Sequence, residues 1–223
     1  MIPYKDDNPT HTFPYVTIGF IALNILVFFL ELTSASGIQK VTYSYGALPH
    51  SLLTFERLQP VHPTVTVFTS MFMHGGLFHI AGNMLYLWIF GNNIEDTLGH
   101  LRFIVFYLFC GIFAAYSYAV TNPHSTTPMI GASGAVSGVL GAYILLFPRA
   151  HVHTLVFLGF FVTTIRIPAL IVIGFWAIIQ FINGMVGTGL REEGGVAWFA
   201  HIGGFLIGLV TIKLWMPRRT RQW

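Results

Sequence analysis

The stretch MIGASGAVSGVLGAY, residues 129–143, places Ser133 among glycines and alanines at the head of an apolar run. A serine hydroxyl becomes a nucleophile when a neighbouring base takes its proton, and that base is most often histidine. A second apolar stretch, WFAHIGGFLIG, carries His201. Taken singly, such a serine usually bonds its own helix backbone and such a histidine often links two helices. Taken together, they predict nucleophilic catalysis.

A third stretch, HGGLFHIAGNMLY, supplies hydrogen-bond donors in the form of His79 and Asn83. Residues four apart in a helix lie on the same face, so both side chains point one way. If Ser133 begins a helix, its N–H also lacks an intrahelical partner. Donors of this kind stabilise the oxyanion of acyl transfer by about 3–4 kcal/mol each. We therefore predict an oxyanion hole formed by His79, Asn83 and the Ser133 N–H.

The sequence does not contain the motifs that other classes of hydrolase require. A metalloprotease requires HExxH, but His74 and His79 are five apart without a glutamate, so we expect no metal site. A nucleophile elbow requires GxSxG, but residue 135 is alanine. The acidic residues fall in predicted tails, loops or span ends: Asp6, Asp7, Glu31, Glu56, Glu95, Asp96, Glu192 and Glu193. The absence of a carboxylate beside His201 favours a Ser-His dyad over a triad.

The composition places these residues in a membrane. Of 223 residues, 54% are hydrophobic and 9% charged, against roughly 25% charged in soluble domains. Apolar runs of near 20 residues recur, the length that crosses about 30 Å of hydrocarbon. The only cysteine, Cys110, excludes an internal disulfide. The basic tail RRTRQ suits anionic lipids better than nucleic acid.

We predict an all-α polytopic membrane protein with six transmembrane helices. It forms a single membrane-embedded domain, 1–223, with short cytoplasmic tails at about 1–14 and 217–223. The predicted spans are Tyr15–Leu32, Leu77–Phe90, Arg102–Val120, Ser133–Phe147, Pro168–Met185 and Ala197–Met216. The apolar run within His151–Ile167 is too short for a span and predicts either an interfacial helix or a short hairpin.

The basic residues predict the orientation. Six spans put both termini on one side, and the positive-inside rule assigns that side to the cytoplasm. Eight basic residues then lie inside: Lys5, Arg102, Arg149, Arg166, Lys213, Arg218, Arg219 and Arg221. Three lie outside: Lys40, Arg57 and Arg191. Ser133, His201 and the His79–Asn83 pair all fall near the outer face, whereas a seventh span would separate Ser133 from His201.

Small residues predict how two of the spans meet. Gly134 and Gly138 form one pair at small-xxx-small spacing, and Gly204 and Gly208 form another. Such pairs let helix backbones approach closely. We expect this contact to bring the serine of one helix within reach of the histidine of the other.

These motifs, taken in order, resemble those of the rhomboid intramembrane serine proteases. The matching stretches are HGGLFHIAGN, GASG and AHIGGFLIG. The segment NNIEDTLGHLRF is similar to that family's structural loop, with Glu95, Gly99 and Arg102 in matching places. The resemblance covers roughly Thr66 to Leu209.

The resemblance implies that Ser133 is the nucleophile and His201 the general base, with the oxyanion hole named above. It implies six spans, no cofactor and a bacterial inner-membrane location with cytoplasmic termini. It also implies substrates that are transmembrane segments of other proteins, admitted near 33–76 and 168–185. Some members carry an aromatic residue one turn after the nucleophile, where this chain has Ser137. What orients the His201 imidazole is therefore left open.

Two other functional classes make different demands on the sequence. A chaperone-like protein that binds transmembrane helices without cutting them is the alternative, although non-proteolytic relatives typically lack the serine or the histidine. A transporter predicts two similar halves or a mid-span charge, and neither is present. The sequence leaves the substrate and the oligomeric state undetermined.

Overall fold

The structure is a computed structural model that describes residues 2–159, 161–187 and 197–217. The described chain is mostly helical. Its helices are α1 (Tyr15–Thr33), α2 (Ile38–Tyr45), α3 (Pro49–Thr54), α4 (Pro63–Thr69), α5 (Leu77–Leu98), α6 (His100–Thr121), α7 (Ser133–Leu146), α8 (Ala169–Gly187) and α9 (Trp198–Trp215). A 3-10 turn at Ser70–Phe72 follows α4, and the strands are β1 (Ile2–Asp6), β2 (His151–Leu158) and β3 (Phe161–Pro168).

Four of these helices are long and apolar enough to cross a membrane: α1, α6, α8 and α9. Helix α7 is apolar but has only 14 residues. The outer faces of the long helices are apolar too, as Phe29, Val105, Phe175 and Val210 show by being more than half exposed. This chain is an integral membrane protein. The predicted count of six spans goes beyond these four helices.

The helices begin and end within two residues of the predicted spans, except at the end of α5. That helix continues eight residues beyond Phe90, to Leu98. The added turns are amphipathic, since Ile94, Glu95 and Leu98 all face inward. Polar asparagines made the stretch resemble a loop, but buried contacts on one face keep it helical. The helix ends at Gly99, whose φ of 79° favours glycine.

The predicted all-α fold is confirmed only as a mostly helical one, because β1, β2 and β3 form an antiparallel three-stranded sheet. The run 151–167 is a hairpin, one of the two predicted alternatives. The predicted N-terminal tail supplies the third strand, with Asp6 paired to Val152. The β-branched and aromatic residues of HVHTLVFL and FVTTIRIP favour strands over helix. The basic residues of the predicted C-terminal tail, 218–223, lie outside the described residues, as does Arg191.

Helix α7 lies at the centre of the bundle and is buried from Gly134 to Tyr143. A Cβ added to Gly204 would overlap the carbonyl oxygen of Gly134, and one added to Gly208 would overlap that of Gly138. The backbones of α7 and α9 therefore touch directly, in the pairing that the glycine spacing predicts. A larger side chain at these positions would force the helices apart.

Candidate active site

Ser133 is the first residue of α7, and the segment before it is fixed by hydrogen bonds. Met129 exchanges two backbone bonds with Ala47, and the Gly131 N–H donates to the Ser70 carbonyl at 2.8 Å. Gly131 has a φ of +125°, and an added Cβ would lie 2.8 Å from His79 Nε2 and 3.4 Å from Ser133 Oγ. Only glycine fits this backbone, and its missing side chain lets the imidazole and the serine approach each other.

His201 lies in the first turn of α9, with 8% of its surface exposed. Its Nε2 is 2.7 Å from Ser133 Oγ. This is the hydrogen-bond distance that a nucleophile and its general base require. The direct contact of α7 with α9 one turn below keeps the two side chains together.

The other ring nitrogen of His201 faces α8. Gln180 Oε1 lies 2.6 Å from His201 Nδ1. The rings of Trp176 and Trp198 flank the imidazole, with centroids 6.0 and 6.3 Å away. The Ser137 hydroxyl instead donates to the Ser133 carbonyl at 2.6 Å. Helix α8 and the start of α9 thus surround the ring.

Gln180 was not predicted from the sequence to belong to the site. A signal was available, because the amide stands alone in the apolar stretch WAIIQFI of a predicted span. A polar side chain in hydrocarbon usually faces the bundle interior or a wet cavity. The same rule had singled out Asn83.

His79 and Asn83 lie near the start of α5, and both line the cavity that reaches Ser133. The Gly75 N–H donates to His79 Nδ1 at 3.4 Å, which leaves the proton of a neutral ring on Nε2. That nitrogen is the one beside Gly131. Asn83 is 8% exposed, and its Nδ2 has no hydrogen-bond partner among the described residues. Both side chains therefore offer donors to a group entering the cavity.

The cavity measures about 760 Å³, and Ser133, His201, His79 and Asn83 all contribute to its lining. Apolar side chains form much of the remainder, among them Phe78, Met129, Ile130 and Trp176. A cavity with a few convergent polar groups on apolar walls is typical of a ligand site. Within the described ranges, no three His, Cys, Asp or Glu side chains are grouped as metal ligands would be.

His74 and Glu31 lie next to this site, on the side of α1. Neither was assigned a role from the sequence. The buried ring of His74 packs edge-on against His79, with centroids 5.1 Å apart. Its backbone N–H donates to Glu31 Oε2 at 3.1 Å. Because Glu31 belongs to α1, this bond ties the segment before α5 to the first long helix.

The predicted structural loop is divided between helix and turn. Glu95 lies in the last turn of α5 with no exposed surface. It accepts bonds from the Val16 N–H, from the Thr17 N–H and hydroxyl, and from the imidazole of His100, at 2.6 to 2.9 Å. Arg102 is exposed in the first turn of α6 and forms no ion pair with Glu95. The structure thus joins Glu95 to α1 and leaves Arg102 apart.

Comparison with known proteins identifies the family. Residues 62–218 match the family described as Rhomboid domain. The chain is 32% identical over 198 residues to Rhomboid protease GluP of Bacillus subtilis, covering 87% of this chain and 34% of that protein. It is 30% identical over 150 residues to Rhomboid protein 1, mitochondrial, of Saccharomyces cerevisiae, covering 66% of this chain and 40% of that protein.

The human Presenilin-associated rhomboid-like protein, mitochondrial, is 30% identical over 151 residues, covering 66% of this chain and 36% of that protein. The chain therefore spans about a third to two-fifths of the length of these relatives. The family match extends over well more than half of the chain, from the residue before α4 to beyond the end of α9. The chain belongs to the rhomboid family.

Proposed function

We propose that this protein is an intramembrane serine endopeptidase that cleaves transmembrane segments of other membrane proteins with a Ser133–His201 dyad. The observation that carries the proposal is the 2.7 Å approach of Ser133 Oγ to His201 Nε2. That pair borders a cavity to which His79 and Asn83 also contribute. A serine and a histidine in contact beside further donors have the arrangement that acyl transfer requires.

The reaction begins when Ser133 Oγ attacks the carbonyl carbon of the scissile peptide bond. The hydroxyl proton passes to His201 Nε2 as the Oγ–C bond forms. The same nitrogen then donates that proton to the leaving amine, which gives an acyl-enzyme. A water molecule, deprotonated by His201, hydrolyses the ester and regenerates Ser133.

The negative charge on the carbonyl oxygen needs donors that are already in place. The Nε2–H of His79 and the unpartnered Nδ2 of Asn83 are two candidates. The N–H of Ser133 is the third, because the first bonded amide of α7 is that of Val136. These three donors form the proposed oxyanion hole, and no step requires a cofactor.

The proposed arrangement in the membrane has six spans in one domain, with α5 and α7 added to the four helices named above, α1, α6, α8 and α9. The 22 residues of α5 extend about 33 Å, long enough to cross the hydrocarbon layer. The 14 residues of α7 extend only about 21 Å. A span shorter than the layer places Ser133 below the membrane surface, within reach of a transmembrane substrate.

The proposed orientation places the termini in the cytoplasm of a bacterial cell, with the cavity opening to the outer face of the inner membrane. Five basic residues of the described chain lie at the opposite end of α7 from Ser133: Lys5, Arg102, Arg149, Arg166 and Lys213. Lys40 and Arg57 lie in the segment between α1 and α5. This excess of basic residues at one end follows the positive-inside rule.

The proposal is tested with purified protein in detergent and a single-span substrate carrying labels at both ends. We expect wild type to cut the substrate, and Ser133→Ala and His201→Ala to bind it without cutting. Cleavage that persists in Ser133→Ala would exclude the dyad. Binding without cleavage by folded wild type, in detergent and in lipid vesicles, would favour the chaperone-like alternative instead.

A further inference from the structure

Gln180 is a buried polar residue in an apolar helix. Its side chain is 6% exposed, whereas Phe175, Ile178 and Phe181 of the same helix face outward. A buried amide is costly unless its polar atoms are bonded. Its Oε1 lies 2.6 Å from Nδ1 of His201, a bond that joins α8 to the dyad.

The chemistry of the amide fixes the proton on the imidazole. A carboxamide oxygen can only accept a hydrogen bond, so His201 Nδ1 must carry a hydrogen. A neutral imidazole has one N–H, which leaves the Nε2 lone pair facing Ser133 Oγ at 2.7 Å. The opposite tautomer would present an N–H to the serine and could not take its proton.

We propose that Gln180 is a positioning residue that holds His201 in the Nδ1–H tautomer and aims Nε2 at the serine. The inference rests on the proposed function, because it concerns how the same dyad is made competent. The residue touches neither the substrate nor the reacting atoms, and acts through the histidine.

The proton balance keeps Gln180 unchanged throughout the reaction. When Ser133 Oγ attacks, the Oγ–H bond breaks and an Nε2–H bond forms, which gives an imidazolium. Its Nδ1–H stays on the ring and continues to donate to Gln180 Oε1. The leaving amine then takes the Nε2 proton, and the original tautomer returns.

An amide suits this position better than a carboxylate would in an apolar surrounding. A buried carboxylate places a net charge among apolar helices, and taking a charge out of water is costly. The amide supplies an acceptor without that charge. Trp176, four residues before Gln180, packs beside the same ring with centroids 6.0 Å apart. One face of α8 therefore provides both a polar and an aromatic contact to His201.

The kinetic test uses three variants of the full chain. Gln180→Met keeps the length of the side chain, suits apolar neighbours and removes the acceptor. Gln180→Glu retains an acceptor oxygen. Val210→Met is the control, because Val210 is 67% exposed on α9, outside the two segments that the resemblance implies admit substrate.

We expect Gln180→Met to lower kcat for a single-span substrate about 100-fold, at the low end of the range for general-base catalysis. KM should stay within about twofold, because the bond changes the base and not substrate binding. Gln180→Glu should recover at least about tenfold of the lost kcat, whereas Val210→Met should match wild type. A Gln180→Met variant with the kcat of wild type would overturn the inference.

A spectroscopic test reads the tautomer directly. In ¹⁵N-histidine-labelled wild type, the His201 signals are assigned by their loss in His201→Asn. We expect a protonated Nδ1 and a bare Nε2, and a shift towards the other tautomer in Gln180→Met.

A proton on Nε2 in wild type would overturn the inference even if Gln180→Met proved too unstable to assay. The two proposals fail differently. If folded wild type cleaves nothing but shows the Nδ1–H form, the proposed protease function fails and the Gln180 contact stands.

Discussion

The two ends of α5 use buried polar groups in opposite ways. At the Gly99 end, Glu95 is fully buried and receives hydrogen bonds from Val16, Thr17 and His100. At the Gly76 end, Asn83 is buried with an Nδ2 that has no partner among the described residues, and it borders a cavity. We call the Gly99 end, with Glu95, the closed end, because its buried acceptors are hydrogen-bonded. We call the Gly76 end, with Asn83, the open end, because it keeps a donor available.

The difference separates a stabilising cluster from one that we propose is reactive. A satisfied buried group holds elements together, whereas an unsatisfied one costs free energy and is retained when a ligand completes it. The hydrogen-bond partners at the two ends differ as well. The carboxylates of Glu95 and Asp6 lie at the closed end, where Asp6 accepts a bond from Tyr143 at 2.5 Å. The dyad at the open end is bonded to a neutral amide, that of Gln180.

The largest expected effect is loss of the dyad at the open end. His201→Ala should lower kcat at least about 1,000-fold, and Ser133→Ala with His201→Ala should lose no more than either change alone. The residues act as a unit, so their losses do not add. Cleavage rates of the three variants measure this, with unfolding temperatures as the control. Additive losses would show that the two residues act independently.

A smaller effect is expected at Asn83. Asn83→Ala removes one oxyanion donor and should lower kcat about 100-fold, a loss of about 3 kcal/mol of transition-state stabilisation. Thermal stability should not fall, because the Asn83 Nδ2 has no partner to lose. Cleavage kinetics and unfolding temperature on one preparation test both statements. A destabilised Asn83→Ala with normal kcat would place Asn83 in the stabilising class.

Substitution at the closed end should lower stability and leave activity nearly unchanged. Glu95→Ala removes the acceptor of three donors in α1 and of the His100 imidazole. It should therefore lower the free energy of unfolding by about 3 kcal/mol. The kcat of the remaining folded protein should change little. Denaturant unfolding in detergent measures the loss. Asp96→Ala is the control, since Asp96 bonds Thr12 and His11 at an exposed site and should cost less than about 1 kcal/mol.

The smallest effect concerns pH and the sheet at the closed end. The backbone N–H of His151 and the guanidinium of Arg166 hold the pKa of Asp7 below its ordinary value of 3.8. A depressed folded-state pKa gives stability that is present above pH 3.8 and lost as pH falls through the folded-state pKa. We therefore expect Asp7→Asn to be less stable than wild type near neutral pH, by less than about 1 kcal/mol.

The difference in stability between Asp7→Asn and wild type should disappear in acid, because wild type then loses the contribution of the Asp7 carboxylate. Unfolding temperatures of the two proteins between about pH 3 and 7 measure it. A constant gap across that range would show that the Asp7 carboxylate does not titrate differently in the folded protein.

Most of the helical architecture could be predicted from periodicity and motif spacing, because apolar runs and glycine pairs are local signals. They could not place the sheet, since β1 pairs with a hairpin more than 140 residues away. The contact between Ser133 and His201 was predictable from residue chemistry and motif order. Gln180 was not predicted to contact His201, because the sequence does not show which face of α8 packs against α9. Glu95 was assigned to a loop, because only burial against α1 shows that its segment is helical.

The most direct test of the account is chemical labelling of Ser133. Folded protein in detergent is treated with a fluorophosphonate, digested and mapped by mass spectrometry. We predict one adduct, on Ser133, that forms in wild type and is lost in His201→Ala, because the hydroxyl needs the imidazole to become nucleophilic. Ser133 that stays unlabelled in folded wild type, or that labels equally fast without His201, would contradict the dyad.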